Sequence, residues 1–299
     1  MTELSRRRLL KHSMYLGAAA LGAGPLGEAL ARGAEKPGAQ MALGLVTYMW
    51  GARWDLPTLI GNCAAGRVLG VELRTTHAHG VERNLNLGQR LEVKKRFADS
   101  PVTLAGLGSN ERFDHPDPAS LEAAVEATKA FVKLSHDVGG SGVKVKPNSF
   151  QKDVPREKTI EQIGKSLNVV GAFGADYGQQ IRLEVHGQCS PPPIMREIMD
   201  VADHPNVGVC WNSNAADLQG EGLEHNFNLL KDRMGATAHI RPLKTPGYPW
   251  QELIDLYAKI DYHGWIMLEA GGVPQDPVAA LAEQDELFRE MVAKARAKL

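Results

Sequence analysis

Short apolar runs recur along this chain about every 32 residues, the length of one β/α unit in a barrel of roughly 250 residues. They occupy residues 44–50, 70–74, 102–107, 142–146, 181–186, 207–212, 236–243 and 264–269, and they read as short buried strands. Between them lie stretches with helical character at 56–68, 88–99, 118–137, 155–177, 191–203, 250–260 and 277–299. In the third of these, Leu121, Val125, Thr128, Val132 and Leu134 fall near helical spacing, and the triple proline at Pro191–Pro193 can only begin a helix. Strands and crossover helices in this alternation are the inventory of a single-domain α/β fold, a (β/α)8 TIM barrel. The rival, a doubly wound open sheet, would carry Gly-x-Gly-x-x-Gly after its first strand, and no such motif stands there.

The first 40 residues do not share this pattern. Ser5-Arg6-Arg7-Arg8-Leu9-Leu10-Lys11 has the form of a twin-arginine export signal. A weakly apolar Gly/Ala-rich run follows, with a small-x-small cleavage site at Ala29-Leu30-Ala31. Gly17, Gly22, Gly24, Pro25 and Gly27 make that run a poor membrane span. Residues 1–31 are therefore expected to be a cleaved signal peptide, 32–40 a linker and 41–299 the barrel. The protein is expected in the periplasm or otherwise exported by the twin-arginine route, with no stable membrane insertion of the mature chain. Arg6, Arg7, Arg8 and Lys11 against Glu3 and Glu28 give the presequence a net +2, so a chain of formal charge −1 becomes about −3 once it is removed. That balance lacks the basic footprint of a nucleic-acid partner. Cys63, Cys189 and Cys210 form no Cys-x-x-Cys pair and no disulfide scaffold.

Functional side chains in such barrels sit at the C-terminal ends of the strands. Glu184 lies in the run Ile-Arg-Leu-Glu-Val-His-Gly, and a period of two puts it on the same strand face as His186. A carboxylate in so apolar a setting needs a partner or a metal. Four consecutive strands end in a candidate ligand: Glu184, Asn212, His239 and Glu269, separated by 28, 27 and 30 residues. Four adjacent strands thus aim two carboxylates, an amide and an imidazole at one point. Oxygen ligands with a single His suit a divalent ion of the Mn2+, Mg2+ or Co2+ type, with Zn2+ also open.

With Leu-Glu-Val-His-Gly around Glu184, Val-Gly-Val-Cys-Trp-Asn around Asn212, Ala-His-Ile around His239 and Met-Leu-Glu-Ala-Gly around Glu269, the chain resembles the xylose-isomerase-like barrel superfamily, in particular its sugar (phosphate) isomerase/epimerase branch. The resemblance spans essentially the whole of 41–299. It implies one divalent metal, Mn2+ favoured, on Glu184, Asn212, His239 and Glu269. It also implies that Glu184 and Glu269 act as acid and base on opposite faces of a small-molecule sugar or sugar derivative. Two departures stand out. The family's Asp is Asn212 here, and its His three residues further on is Ala215. The Arg that epimerases carry after the metal His has Thr245 near its place, with Arg241 as a candidate substitute.

The chemistry so implied is proton abstraction next to a carbonyl, giving an isomerase or epimerase. A lyase or hydratase on keto-sugars or keto-glycosides would use the same groups, and a non-catalytic carbohydrate-binding barrel remains open. A metal-dependent endonuclease is disfavoured by the negative charge and by the lack of a multi-His cluster. Lys144, Lys146, His186, Arg241, His77, His115 and Trp50 are the candidate substrate contacts at the rim. Lys144 and Lys146 share a strand face and have an alternative role as salt-bridge partners of Glu184 or Glu72. His186 is equally a support for the ligands, and Trp50, Trp54 and Trp211 either stack on a sugar or fill the core. Oligomeric state is not legible in the sequence.

Overall fold

The computed structural model describes residues 37–299; the signal segment read at 1–31 and the start of the linker lie outside the described residues. The order is β1 (Ala42–Val46), α1 (Leu56–Ala65), β2 (Gly70–Arg74), α2 (Leu87–Ala98), β3 (Thr103–Arg112), α3 (Pro118–Val138), β4 (Gly142–Lys146), α4 (Arg156–Asp176), β5 (Gln180–Glu184), α5 (Pro192–Val201), β6 (Val207–Cys210), α6 (Leu223–Asn228), β7 (Thr237–Ile240), α7 (Trp250–Lys259), β8 (Trp265–Leu268) and α8 (Pro277–Ala297). The strands are parallel in the ring order β6-β5-β4-β3-β2-β1-β8-β7. Isolated bridges Val209–Met234 and Asn212–His239 close the ring between β6 and β7. The TIM barrel expected from the repeat is therefore the fold. Its closing seam runs through two of the four candidate ligands: the His239 N–H donates to the Trp211 carbonyl at 2.6 Å, and the Ser213 N–H to the His239 carbonyl at 3.2 Å.

Helix starts fix where each βα loop ends, on the face that carries the site. Asp55, Asp117 and Asp276 cap α1, α3 and α8 by accepting from the backbone N–H groups of Thr58, Ser120 and Ala279 at 2.9, 2.8 and 3.0 Å. Each of these helices carries Pro in its first turn, where no N–H is needed. Asn86 and Gln89 form a reciprocal capping box at α2.

Several strands stop earlier than their apolar runs. The run at 44–50 is displaced: β1 begins at Ala42 and ends at Val46. Thr47 still donates to the Glu72 carbonyl at 3.0 Å, but Tyr48 N–H turns back on Val46 at 2.7 Å. Trp50 extends the apolar pattern because it is buried in the core around the barrel, at 8% exposure. β5 and β6 likewise end at Glu184 and Cys210 rather than at 186 and 212, because the chain leaves the ladder as it turns into the loops. Helix α6 has no forerunner in the sequence pattern, since six residues between Gly222 and Leu229 are too few to show a period.

The interior separates into two zones. Val46, Ala105 and Met267 form an apolar plug with Tyr48 and Trp265 packed against it. Trp265 fills the space beside Gly70, and Met267 the space beside Gly44. The other zone is charged: Glu72, Lys144, Arg182, Glu184 and His239 are all at most 1% exposed. Gly108 leaves room for Glu72, since a Cβ there would stand 2.9 Å from its Oε1. At the end of β5, Gly187 adopts φ +68° against the Asn148 carbonyl, a close approach in the left-handed region that suits only glycine. That turn ends the run carrying Glu184 and locks the β5 loop on the β4 loop.

Candidate active site

Glu184, Asn212, His239 and Glu269 converge. The Asn212 amide nitrogen donates to Glu184 Oε1 and to Glu269 Oε2, both at 3.0 Å. His239 Nδ1 lies 3.6 Å from Glu184 Oε1 and 3.7 Å from Glu269 Oε2. That nitrogen is buried and has no hydrogen-bond partner, so an orphaned ligand atom faces two carboxylates. Ligand atoms of Glu184, His239 and Glu269 all lie within 4.8 Å of one another. One imidazole and two carboxylates at this spacing fit a divalent cation. Asn212 presents nitrogen to the cluster and joins the two carboxylates, where an acid would have added a third negative charge.

Two further charges complete the cluster. Lys144 Nζ lies 2.7 Å from Glu184 Oε2, an ion pair with both side chains at most 2% exposed. The salt-bridge alternative for Lys144 is thus the one realised. Glu72 Oε1 lies 3.2 Å from His239 Nε2, which orients the ring so that Nδ1 meets the other two carboxylates. Sequence reading treated Glu72 only as a partner for a lysine. Its signal was there: Val-Glu-Leu on β2 is the same buried-acid pattern as Leu-Glu-Val on β5.

Burial alone would raise the Glu184 carboxyl, but the Lys144 charge and the neighbouring His239 outweigh it and hold it well below the usual carboxylate range. Glu269 is lowered too, burial again opposing and His239 prevailing. Burial disfavours the Lys144 ammonium, yet Glu184, Glu72 and Glu269 raise it. At His239 burial works against an imidazolium, while Cys210, Glu72 and Glu184 around the ring raise it well above the ordinary value. A cation entering here therefore competes with charge already in place.

The rim candidates divide. Lys146 is half-buried at the end of β4, with Nζ 3.4 Å from Asn110 Oδ1. His186 follows Glu184 into the loop, its Nδ1 buried without a partner, and burial lowers its pKa. His77 Nδ1 lies 3.1 Å from Thr47 Oγ1, whose oxygen also accepts from the Arg74 N–H at 2.9 Å. Arg241 lies after β7 with its guanidinium 5.9 Å from the Tyr248 ring and 6.0 Å from the Trp250 ring. His115 lies in the β3–α3 loop, where its carbonyl accepts from Gln162 at 2.8 Å. Trp50 and Trp211 are both core residues.

A second buried acid orders the loop behind Asn212. Asp217 Oδ2 accepts from the Tyr248 hydroxyl at 2.7 Å and from the Asn214 N–H at 2.8 Å. Burial pushes its carboxyl up to about 7, with the Asn214 and Tyr248 hydrogen bonds and the Arg241 charge only partly opposing. The unfolded chain ionises near 3.8, so stability from this group is full below that pH and is lost as pH rises toward about 7. Asp217→Asn keeps an oxygen for both donors and removes the titration. Its unfolding free energy is expected to match the parent's near pH 4 and to exceed it at pH 8, by a margin on the order of a few kcal/mol. Equal margins at both pH values would contradict this account of Asp217.

A family model described as xylose isomerase-like TIM barrel matches residues 68–291. Comparison with curated proteins yields no match. Among solved structures the chain is similar to an L-ribulose 3-epimerase, with TM-score 0.72, 14% identity, and 86% of this chain and 96% of that one covered. It is also similar to a 3-keto-D-glucoside 4-epimerase from E. coli, with TM-score 0.70 and 13% identity over 84% of this chain and 99% of that one. A third is the IolI protein with a bound zinc atom, with TM-score 0.67 and 16% identity over 85% and 99%. Among the described residues, no helix is long and apolar enough to cross a membrane.

Proposed function

The chain belongs to the xylose isomerase-like TIM barrel family, and we propose that it is an exported sugar isomerase or epimerase that moves a proton on a carbon next to a carbonyl. The observation that carries this reading is the paired arrangement of Glu184 and Glu269, tied through one Asn212 amide and flanked by an unpartnered His239 nitrogen. The epimerase neighbours support the substrate class.

The two acids are not equivalent. Glu184 is held by Lys144 on one oxygen and Asn212 on the other, and its side chain is 2% exposed. Glu269 side chain is 20% exposed and shares only its Oε2 with Asn212. Glu269 is therefore assigned as the base that takes the α-proton first, and Glu184, ionised at rest, as the group that returns a proton which the adjoining Lys144 ammonium, 2.7 Å from its Oε2, supplies. Glu184, His239 and Glu269 would hold a divalent cation, Mn2+ favoured, with the Asn212 amide nitrogen bridging the two carboxylates beside it. Such an ion, when bound, supplies Lewis acidity that polarises the carbonyl and stabilises enediolate charge. Asn212 lets the two carboxylates approach without a third negative charge between them. A lyase or hydratase would begin with the same proton abstraction.

The test is deuterium uptake from solvent at the α-carbon of ketose and 3-keto sugars, followed by mass spectrometry with added Mn2+ and with chelator. Exchange into a product of unchanged mass apart from the label is expected, and it is expected to fall in chelator. Elimination or hydration products would reassign the reaction, and no exchange with any sugar would refute the enzyme reading in favour of a binding barrel. Export is read from the mature N-terminus, expected at Arg32; an uncleaved chain in the cytoplasm would overturn it.

A further inference from the structure

Beside the acid pair, on the same face of the barrel, two cations share one neutral oxygen. Arg74 at the end of β2 and Lys146 at the end of β4 each approach Asn110 Oδ1 on β3, at 3.4 Å. A single oxygen touching both holds the guanidinium and the ammonium within the span of one carboxylate or phosphate group. Neither cation forms an ion pair with a carboxylate among the described residues, whereas their neighbour Arg112 has Asp114 at 3.5 Å. Arg74 is also firmly placed. Its N–H donates to Thr47 Oγ1 at 2.9 Å, its carbonyl contacts His79 Nε2 at 2.8 Å, and its guanidinium lies 5.0 Å from the Tyr48 ring. Lys146 follows Lys144 by two residues on the same strand face, so it stands directly outward from the ammonium that holds Glu184.

Like charges this close repel unless an anion joins them, and an arginine fork with a lysine point charge is an arrangement that binds carboxylate or phosphate oxygens. Arg74 and Lys146 are half-buried and converge on Asn110, which is itself exposed at the rim. We infer that Arg74, Lys146 and Asn110 form an anion subsite next to the acid pair, and that the sugar substrate carries an acidic group, a carboxylate or a phosphate ester, at the end it lays there. This rests on the sugar reading above and names the substrate class within it. Arg74 and Lys146 are then specificity residues, with the neutral part of the sugar left to the Glu184–Glu269 pair.

Calorimetric titration of the whole protein with inorganic phosphate, D-fructose, D-fructose 6-phosphate and D-fructuronate tests this, with Arg74→Met, Lys146→Met and Lys146→Arg beside the parent. The acidic sugars are expected to bind about tenfold or more tightly than D-fructose, and each methionine variant to lose about that factor for acidic ligands alone. Lys146→Arg is expected to retain it. Whichever acidic sugar binds more tightly identifies carboxylate or phosphate as the group held. Equal affinity for neutral and acidic sugars, unchanged acidic-ligand affinity in both methionine variants, or no binding of any acidic ligand would overturn the subsite. Anion binding that the variants abolish, without α-proton exchange in any sugar, refutes the sugar reading and leaves the subsite standing. Exchange in acidic sugars that both methionine variants leave untouched removes the subsite alone.

Discussion

Glu269→Gln is expected to lower α-proton exchange by roughly 10^2- to 10^4-fold, the contribution of a positioned general base, while leaving the melting temperature close to that of the parent. The amide has the shape of the acid and can still offer an oxygen to the Asn212 nitrogen, which now stands 3.0 Å from Glu269 Oε2. What it cannot do is take a proton. The side chain is 20% exposed against 2% for Glu184, so less buried charge is disturbed than at Glu184. The contrast is with Glu184→Gln, which strands the Lys144 ammonium at 1% exposure and mixes a folding defect into the rate. Deuterium exchange and thermal melts on the same samples separate the two. An exchange rate in Glu269→Gln equal to the parent's would assign the base elsewhere, with Glu184 the first alternative.

Much of this site was legible because barrel geometry turns sequence period into spatial convergence. Glu184, Asn212, His239 and Glu269 each lie in the later part of an apolar run or near its strand's end, and runs one unit apart lie on adjacent strands, so near-equal spacing was enough to bring them together. Roles inside the cluster were not legible in the same way. Whether Lys144 meets a sugar or Glu184 depends on which rotamer the barrel interior admits, and an interior that excludes water pairs the two charges. Glu72 escaped because it sits on β2, across the barrel from the ligand strands, and its contact with His239 spans 167 positions of chain. Arg74 and Lys146 escaped as a pair because Asn110, the group that joins them, is a loop-like residue near the end of the long strand β3. Strand ends were over-read at 47–50 for a simpler reason: Trp50 is apolar through packing around the barrel, and a run of apolar residues does not record where the ladder stops.

Lys144→Met, studied in chelator, is expected to cost about 3–5 kcal/mol of stability near pH 8, as expected when one partner of a buried ion pair is removed. Methionine fills the space of the lysine stem but leaves Glu184 Oε2, now 2.7 Å from Nζ, with no compensating charge. The pH dependence identifies the cause. In the parent, the Glu184 carboxyl is held well below its ordinary value of 4.5, so its contribution is present above that pH and is lost as pH falls through the depressed folded value. Without Lys144, only the His239 and His186 neighbours oppose burial, so the same carboxyl is expected to rise and the folded state to gain by taking up a proton as pH falls. The slope contributed by this group then reverses, and the deficit of the variant relative to the parent is expected to shrink between pH 8 and pH 5. A second substitution, Glu184→Gln on the Lys144→Met background, should recover part of the loss at pH 8 and little at pH 5, because it removes the charge that was left unpaired. Denaturant unfolding of the parent, the single variant and the double variant at both pH values gives the cycle. A cost that is the same at pH 5 and pH 8, or that the second substitution does not reduce, would mean that Lys144 stabilises the barrel by packing and not by neutralising Glu184.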